Sequence, residues 1–402
     1  MKTARPFDDD PKRTLPFGVP DWLLVAGLTY VAIVLTSHLA FTVEANYTLQ
    51  ADAWIHGRLD VVNIGPWLDV LPWRGGWYVV EAPFPAVLMT PLVLIFGRGA
   101  NQAFLSAVLG AVATGAAWEL CKRLGTSTRA RIALTAFFAL GTDVFWCAAQ
   151  GDVWFVAHAS AVCFTMLALV EVSGKRRGLL VALYAGAAAF SRYPLLPLLC
   201  LYPLLMVDAP RRRRILGSYA GTVAALLVLW VWYNEARWGT VTDIGFELFY
   251  RYYYVPGHQG AHAMMLDVHN VPNQLWNFFV HPPVFFSRPP WVGAEQFGLA
   301  LTYTSPALCC ALFARGPVLR IVTLWAMALA AAAPSLLYYD AGGIQFGMRH
   351  ALDFEPFVFA LMVLAVGRRF GWIPTALVAW SVAVGLWGLW FWRTYPPGHP
   401  PA

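Results

Sequence analysis

Twelve apolar blocks punctuate the 402-residue chain, at about 22–41, 83–97, 101–120, 132–149, 153–173, 178–191, 194–207, 215–233, 296–314, 318–338, 350–367 and 371–392. Most approach the roughly 20 residues that an α-helix needs to cross a hydrocarbon core of about 30 Å. The pattern predicts an all-α polytopic membrane protein. A membrane β-barrel would require alternating segments of about ten residues, and none dominates. Two polar intervals interrupt the blocks at length, 42–82 and 234–295. The first holds Glu44, Asp52, Asp60, Asp69 and Glu81, four tryptophans and only two arginines.

Charge turns the blocks into a topology. Nineteen of the 28 Lys and Arg residues fall in six clusters: the N-terminus, 122–131, 175–177, 211–214, 315–320 and 368–369. Cytoplasmic segments carry the excess of Lys and Arg. With all six clusters cytoplasmic and the 42–82 loop outside, block 22–41 exits and a single return precedes Lys122. Block 83–97 is then the one that does not cross. It spans only 15 residues and contains Pro83, Pro85 and Pro91, and a proline inside a helix removes a hydrogen bond and clashes with the preceding turn. The prediction is about 11 transmembrane helices, with a large first outer loop carrying interfacial helices and a half-inserted helix. The expected organisation is a cytoplasmic tail 1–21, a membrane module 22–233 with its outer loop 42–100, a long outer loop 234–295, C-terminal helices 296–392 and an outer tail 393–402.

Composition agrees: 59% of residues are hydrophobic and 12% charged, where soluble chains carry about 25% charge. The net charge of +6 reads as topology and calls for no nucleic acid. The six cysteines lie in or beside apolar blocks and suggest packing, with no disulfide framework. Fifteen of the 22 acids fall at or near the outer face. No Walker loop, GxGxxG, HExxH or GxSxG is present.

Candidate chemistry therefore concentrates on that face. Glu44 follows the first block, and a carboxyl at that depth is partly desolvated, which suits a proton acceptor. Asp52 is the alternative in the same loop. Asp152, in the turn AAQGDVW, would either cap the next helix or face the first loop; two facing acids can share a proton or hold a divalent cation. His158 lies deeper on the same helix, where an ionisable group is a functional candidate or a hydrogen-bonded core residue. Arg192 with Tyr193 (AFSRYP) and Arg349 with His350 (FGMRHALDFEP) are placed to meet a phosphate, to which arginine binds bidentately, or to pair with Asp353 or Glu355. His258 and His262 have metal-ligand spacing without a fixed fourth ligand.

These features resemble the GT-C superfamily of membrane glycosyltransferases, of the protein O-mannosyltransferase and aminoarabinose-transferase type. Glu44, Tyr47, Ala51 and Gly57 fall in the order of that family's first-loop acid, Tyr, Ala and Gly. Tyr78-Val79-Val80-Glu81-Ala82-Pro83-Phe84-Pro85 is similar to its loop end, which leads into an apolar half-helix. Phe346 to His350 resembles its Gly-x-Arg-Tyr stretch, and Asp152 matches the acid of its second outer turn. Val43 stands where the first acid of the family's acidic pair would be. The resemblance implies transfer of a sugar from a polyprenyl-phosphate donor to a glycan, lipid or protein acceptor at the outer face of a plasma membrane, on this reading a bacterial inner membrane, with the N-terminus cytoplasmic. It further implies inverting chemistry, Glu44, Asp52 and Asp152 as catalytic acids or bases, and Tyr47, Glu81, His158, Arg192, Tyr193, Arg349 and His350 as substrate-binding residues. The competing classes are a transporter or lipid flippase, which would show internal repeats, and a catalytically silent membrane scaffold.

Overall fold

The computed structural model describes residues 20–65, 69–255 and 264–395. His258 and His262 lie outside the described residues. Among the described residues, five helices are long and apolar enough to cross a membrane: α4 (Gln102–Arg123), α7 (Val153–Val172), α9 (Arg212–Trp238), α13 (Val318–Leu337) and α15 (Trp372–Thr394). The shorter ones are α1 (Asp21–Ser37), α2 (Asn46–Ile55), α3 (Phe84–Phe96), α5 (Thr128–Leu140), α6 (Val144–Ala148), α8 (Gly178–Ala189), α10 (Gly245–Tyr253), α11 (Val271–Phe279), α12 (Leu301–Thr304) and α14 (Glu355–Val366).

Helices α4 and α7 form the buried centre and pack on each other, with α1, α5 and α6 against α4, and α8 against α7. Lipid tails are as apolar as leucine, so helices associate through close packing of small residues. A Cβ on Gly110 of α4 would overlap the Cβ of Ala148 in α6, and one on Gly385 of α15 would overlap the carbonyl oxygen of Leu140 in α5. Helix α9 is the opposite case: Val228, Leu229 and Trp232 are each more than 60% exposed, as a lipid-facing span requires. Gly221 on the same helix has open space beside it. Gly385→Ala is accordingly expected to destabilise by about 1–3 kcal/mol, the usual range for overpacking, while Gly221→Ala is neutral or slightly stabilising because alanine is the better helix former. Thermal unfolding of both variants in detergent checks this; equal melting points would refute the close-packing account.

The blocks are less continuous than expected. Block 132–149 divides into α5 and α6 at Gly141-Thr142-Asp143, and block 194–207 becomes two 3-10 segments, Tyr193–Cys200 and Tyr202–Leu205. Pro194, Pro197 and Pro203 remove the N–H donors that an α-helical ladder would need there. Another 3-10 run, Pro306–Phe313, occupies block 296–314 and packs on α14.

Helix α3 has 13 residues and holds Pro91. At 1.5 Å per residue it reaches about 20 Å, short of the bilayer core. Its last turn leaves Leu94, Ile95 and Phe96 exposed.

The described residues are mostly helical, as expected, with a few short strands added. In the first loop β1 (Val70–Trp73) pairs antiparallel with β2 (Gly76–Val79), Val70 opposite Val79. The turn between them, Arg74-Gly75, has φ of 45° and 82°. Two successive positive φ values mark the hairpin turn whose twist matches its strands. A second small pair joins β3 (Val284–Phe285) to β4 (Val292–Gly293). Helix α9 continues to Trp238, so the second long loop starts later than expected.

Candidate active site

Gln102 makes four of the hydrogen bonds that fasten the first loop to the bundle. Gln102, at the start of α4 and 2% exposed, accepts from the N–H groups of Tyr47 (3.1 Å) and Thr48 (3.3 Å) through Oε1. Its Nε2 donates to the carbonyls of Glu44 (3.2 Å) and Gly151 (2.7 Å). The Val153 N–H also donates to the Glu44 carbonyl at 3.1 Å. The approach to α2 is thereby tied to the turn before α7.

Those bonds bring Glu44 beside Asp152. Asp152 occupies the N-cap position of α7 but makes no capping hydrogen bond; it accepts instead from the Thr42 hydroxyl, whose oxygen in turn accepts from the Glu44 N–H at 3.0 Å. The cap reading of Asp152 therefore gives way to the loop-facing one. The Glu44 carboxyl is half-buried, and its Oε2 has no hydrogen-bond partner. Burial first, then the negative charges of Asp152 and Asp69, push it up to about 7.

Asp69 completes a carboxylate group that the sequence did not single out. Trp154 Nε1 donates to its Oδ2 at 2.6 Å, and Asn46 Nδ2 donates to its carbonyl at 3.1 Å. The hairpin register sets Asp69 next to Val80-Glu81. Burial and then the charge of Asp69 push Glu81 well above the usual carboxylate range. Asp69 and Asp152 are also raised by burial. Recognising the Arg-Gly turn between two alternating runs would have found Asp69.

Arg349, in the 3-10 segment Arg349–Asp353, faces these acids. Its guanidinium carbon lies 5.8 Å from the Trp154 ring centre and 5.4 Å from that of Phe155. Nη1 donates to the Gly343 carbonyl at 2.8 Å, while the buried Nε has no partner. Its charge acts on both Asp69 and Asp152. Arg349 thus pairs with neither Asp353 nor Glu355.

The remaining expected residues divide between this cluster and its supports. Arg192 is committed to Asp353 through Nε at 3.1 Å and Nη2 at 2.7 Å. His158 Nδ1 stands 3.5 Å from the same carboxylate, and the His158 and His350 rings are 5.7 Å apart. Tyr47 is fully buried between Glu81 and Arg192, with its hydroxyl unpartnered. Tyr193 donates to Asp243 at 2.8 Å and so braces the second loop. Asp52 is ion-paired with Arg98 at 2.8 Å; it belongs to the α2–α3 contact, and the carboxylates that act on Glu44 are Asp152 and Asp69. Among the described residues, no three His, Cys, Asp or Glu side chains form a group that could hold a metal ion.

The arrangement can do two things chemically. A carboxyl near neutrality can accept a proton, and a buried guanidinium a short way off can hold an anion. The fold itself is GT-C-like. The crystal structure of ArnT from Cupriavidus metallidurans bound to undecaprenyl phosphate matches 86% of this chain with a TM-score of 0.52 at 14% sequence identity. The chain spans 59% of that protein's length. No protein-family model and no curated protein sequence matches it.

Proposed function

We propose that the chain is a membrane glycosyltransferase that moves a sugar from a polyprenyl-phosphate donor to a glycan, lipid or protein acceptor. The observation that carries this reading is the Glu44 carboxyl, its Oε2 without a hydrogen-bond partner, beside Asp152 and Asp69 and opposite the buried Arg349. It stands on a fold in which ArnT was solved with undecaprenyl phosphate.

In the proposed step Glu44 takes the proton of the acceptor hydroxyl as that oxygen attacks the anomeric carbon. The bond from that carbon to the phosphate oxygen breaks, and the electron pair leaves on polyprenyl phosphate. A single displacement inverts the anomeric centre. Arg349 stabilises the negative charge of the departing phosphate, as a preorganised cation in a dry site does. The Trp154 hydrogen bond holds Asp69 at the distance from which it raises Glu44. The accompanying topology is about 11 spans, a cytoplasmic N-terminus and a site at the outer face of a bacterial inner membrane. The first loop 42–100 and the second loop, which begins after Trp238, both serve the site.

The pH dependence follows by sign. A general base works when deprotonated, and an ordinary glutamate is deprotonated above about 4.3. With Glu44 pushed up to about 7, transfer falls as pH drops through 7. Rates in proteoliposomes supplied with labelled polyprenyl-phosphate sugars measure this. A limb near the ordinary glutamate value would remove Glu44 as the base, and Arg349→Gln with unchanged donor affinity would remove Arg349 from the phosphate.

A further inference from the structure

The bundle end opposite the candidate active site carries a second charged feature. Helix α9 has 27 residues and is therefore about 40 Å long. Its C-terminal end supports the first loop, where Arg237 donates to the Val79 carbonyl. Its N-terminal end lies a full helix length away. Arg211, Arg212, Arg213 and Arg214 fill the N-cap and first turn, with Arg211 at a φ of 58°.

A recess of about 480 Å³ opens there, lined by Val207, Asp208, Ala209, Arg211, Arg212 and Arg213. Asp208 is its one acid, and that carboxylate already accepts from Arg176 Nη1 at 2.8 Å and Nη2 at 3.4 Å. Three lining arginines thus share no acid of their own within the recess. The positive end of a helix dipole adds to their mutual repulsion. A preference for cytoplasmic Lys and Arg explains their number, and their consecutive places on one turn set three of them around a single shallow recess.

The neighbours of the recess are apolar and exposed. Leu204, just before it, is 39% exposed, and Leu179 and Leu183 of the adjoining α8 are 51% and 40% exposed. Helix α8 packs on α9 with Gly178 against the Ile215 carbonyl, so this rim is continuous with the lipid-facing surface of α9. Basic pockets at such a boundary bind anionic headgroups.

We propose that this recess binds the phosphate headgroup of an anionic bilayer phospholipid, with the acyl chains lying along the exposed apolar faces of α8 and α9. The site is independent of the sugar-transfer reading. Native mass spectrometry of the full-length protein in detergent, titrated with phosphatidylglycerol and with phosphatidylcholine of the same chains, tests it. A basic residue near an anionic membrane surface contributes roughly fivefold in affinity, so R211Q/R212Q/R213Q is expected to weaken phosphatidylglycerol binding about 100-fold. The triple lysine variant keeps most of the binding, and Asp208→Asn tightens it. Equal binding of the two lipids, or a phosphatidylglycerol preference that survives the triple glutamine change, overturns the proposal. Displacement of phosphatidylglycerol by millimolar inorganic phosphate also overturns it, because the ligand is then free phosphate. If the glutamine triple fails to fold, the lysine triple, Asp208→Asn and loss of the parent's lipid preference in high salt decide the matter.

Discussion

Glu44→Gln is expected to lower sugar transfer between about 100-fold and 10,000-fold, the range typical for loss of a general base. The amide matches the carboxyl in size and still hydrogen-bonds, so the loop should keep its position. Its anchors are backbone groups, the Glu44 carbonyl held by Gln102 and Val153 and the Glu44 N–H on Thr42. Only the ability to take a proton is lost. Asp69→Asn should act differently: removing one of the charges that raise Glu44 moves the acidic limb of the pH profile downward while activity at high pH is kept. Asp52→Asn, which removes the carboxylate that Arg98 and His56 approach, should leave the pH profile in place. Labelled-donor assays in proteoliposomes, normalised to inserted protein, distinguish the three. Wild-type rates in Glu44→Gln would end the general-base assignment.

Asp353→Asn is expected to produce the largest loss of stability, up to about 3–5 kcal/mol, because it strands a largely buried cation. The Asp353 side chain has no exposure, and it meets Arg192 through two hydrogen bonds with His158 close by. An asparagine leaves the Arg192 charge facing His158, His350 and Arg349 without a counter-ion. Exchanging both partners for apolar residues of similar volume is often neutral or better, so Arg192→Met/Asp353→Leu should unfold at a higher temperature than Asp353→Asn. Thermal unfolding in nanodiscs supplies the comparison. A single variant as stable as the parent, or a double variant less stable than the single, would show that Asp353 does not stabilise the fold by neutralising Arg192.

Much of this was visible in the sequence, for identifiable reasons. Membrane helices announce themselves by apolar length alone, which is why α4, α7, α9, α13 and α15 coincide with predicted blocks. Glu44, Asp152 and Arg349 stand at polar edges of apolar blocks, so adjacency to a span was enough to single them out. Asp69 lies far from any span and reaches Trp154 only through the hairpin and the folding of the loop, 85 positions away in sequence. The choice between pairing and substrate contact for Arg192 and Arg349 was equally closed to sequence, since it turns on which guanidinium reaches Asp353. Asp52 drew attention for being an acid in the right loop, yet its partner Arg98 sits 46 positions on, past a helix whose direction the sequence left open. Proline spacing, by contrast, foretold the short α3 correctly and was underused at Pro194, Pro197 and Pro203.

Gln102 has a consequence for how variation can accumulate in such a molecule. Because its amide fixes the approach to α2 and the turn before α7 to the rigid start of α4, the distance from Glu44 to Asp152 is set there and not farther along the loop. Changes at Val61, whose N–H donates to the Trp77 carbonyl at 2.7 Å and whose side chain packs with Ala53, Val70 and Val79, act on the hairpin and leave that distance in place. Gln102 itself is not exchangeable in this way: a Leu there would silence four hydrogen bonds at once, and loop grafts should be designed outward from it.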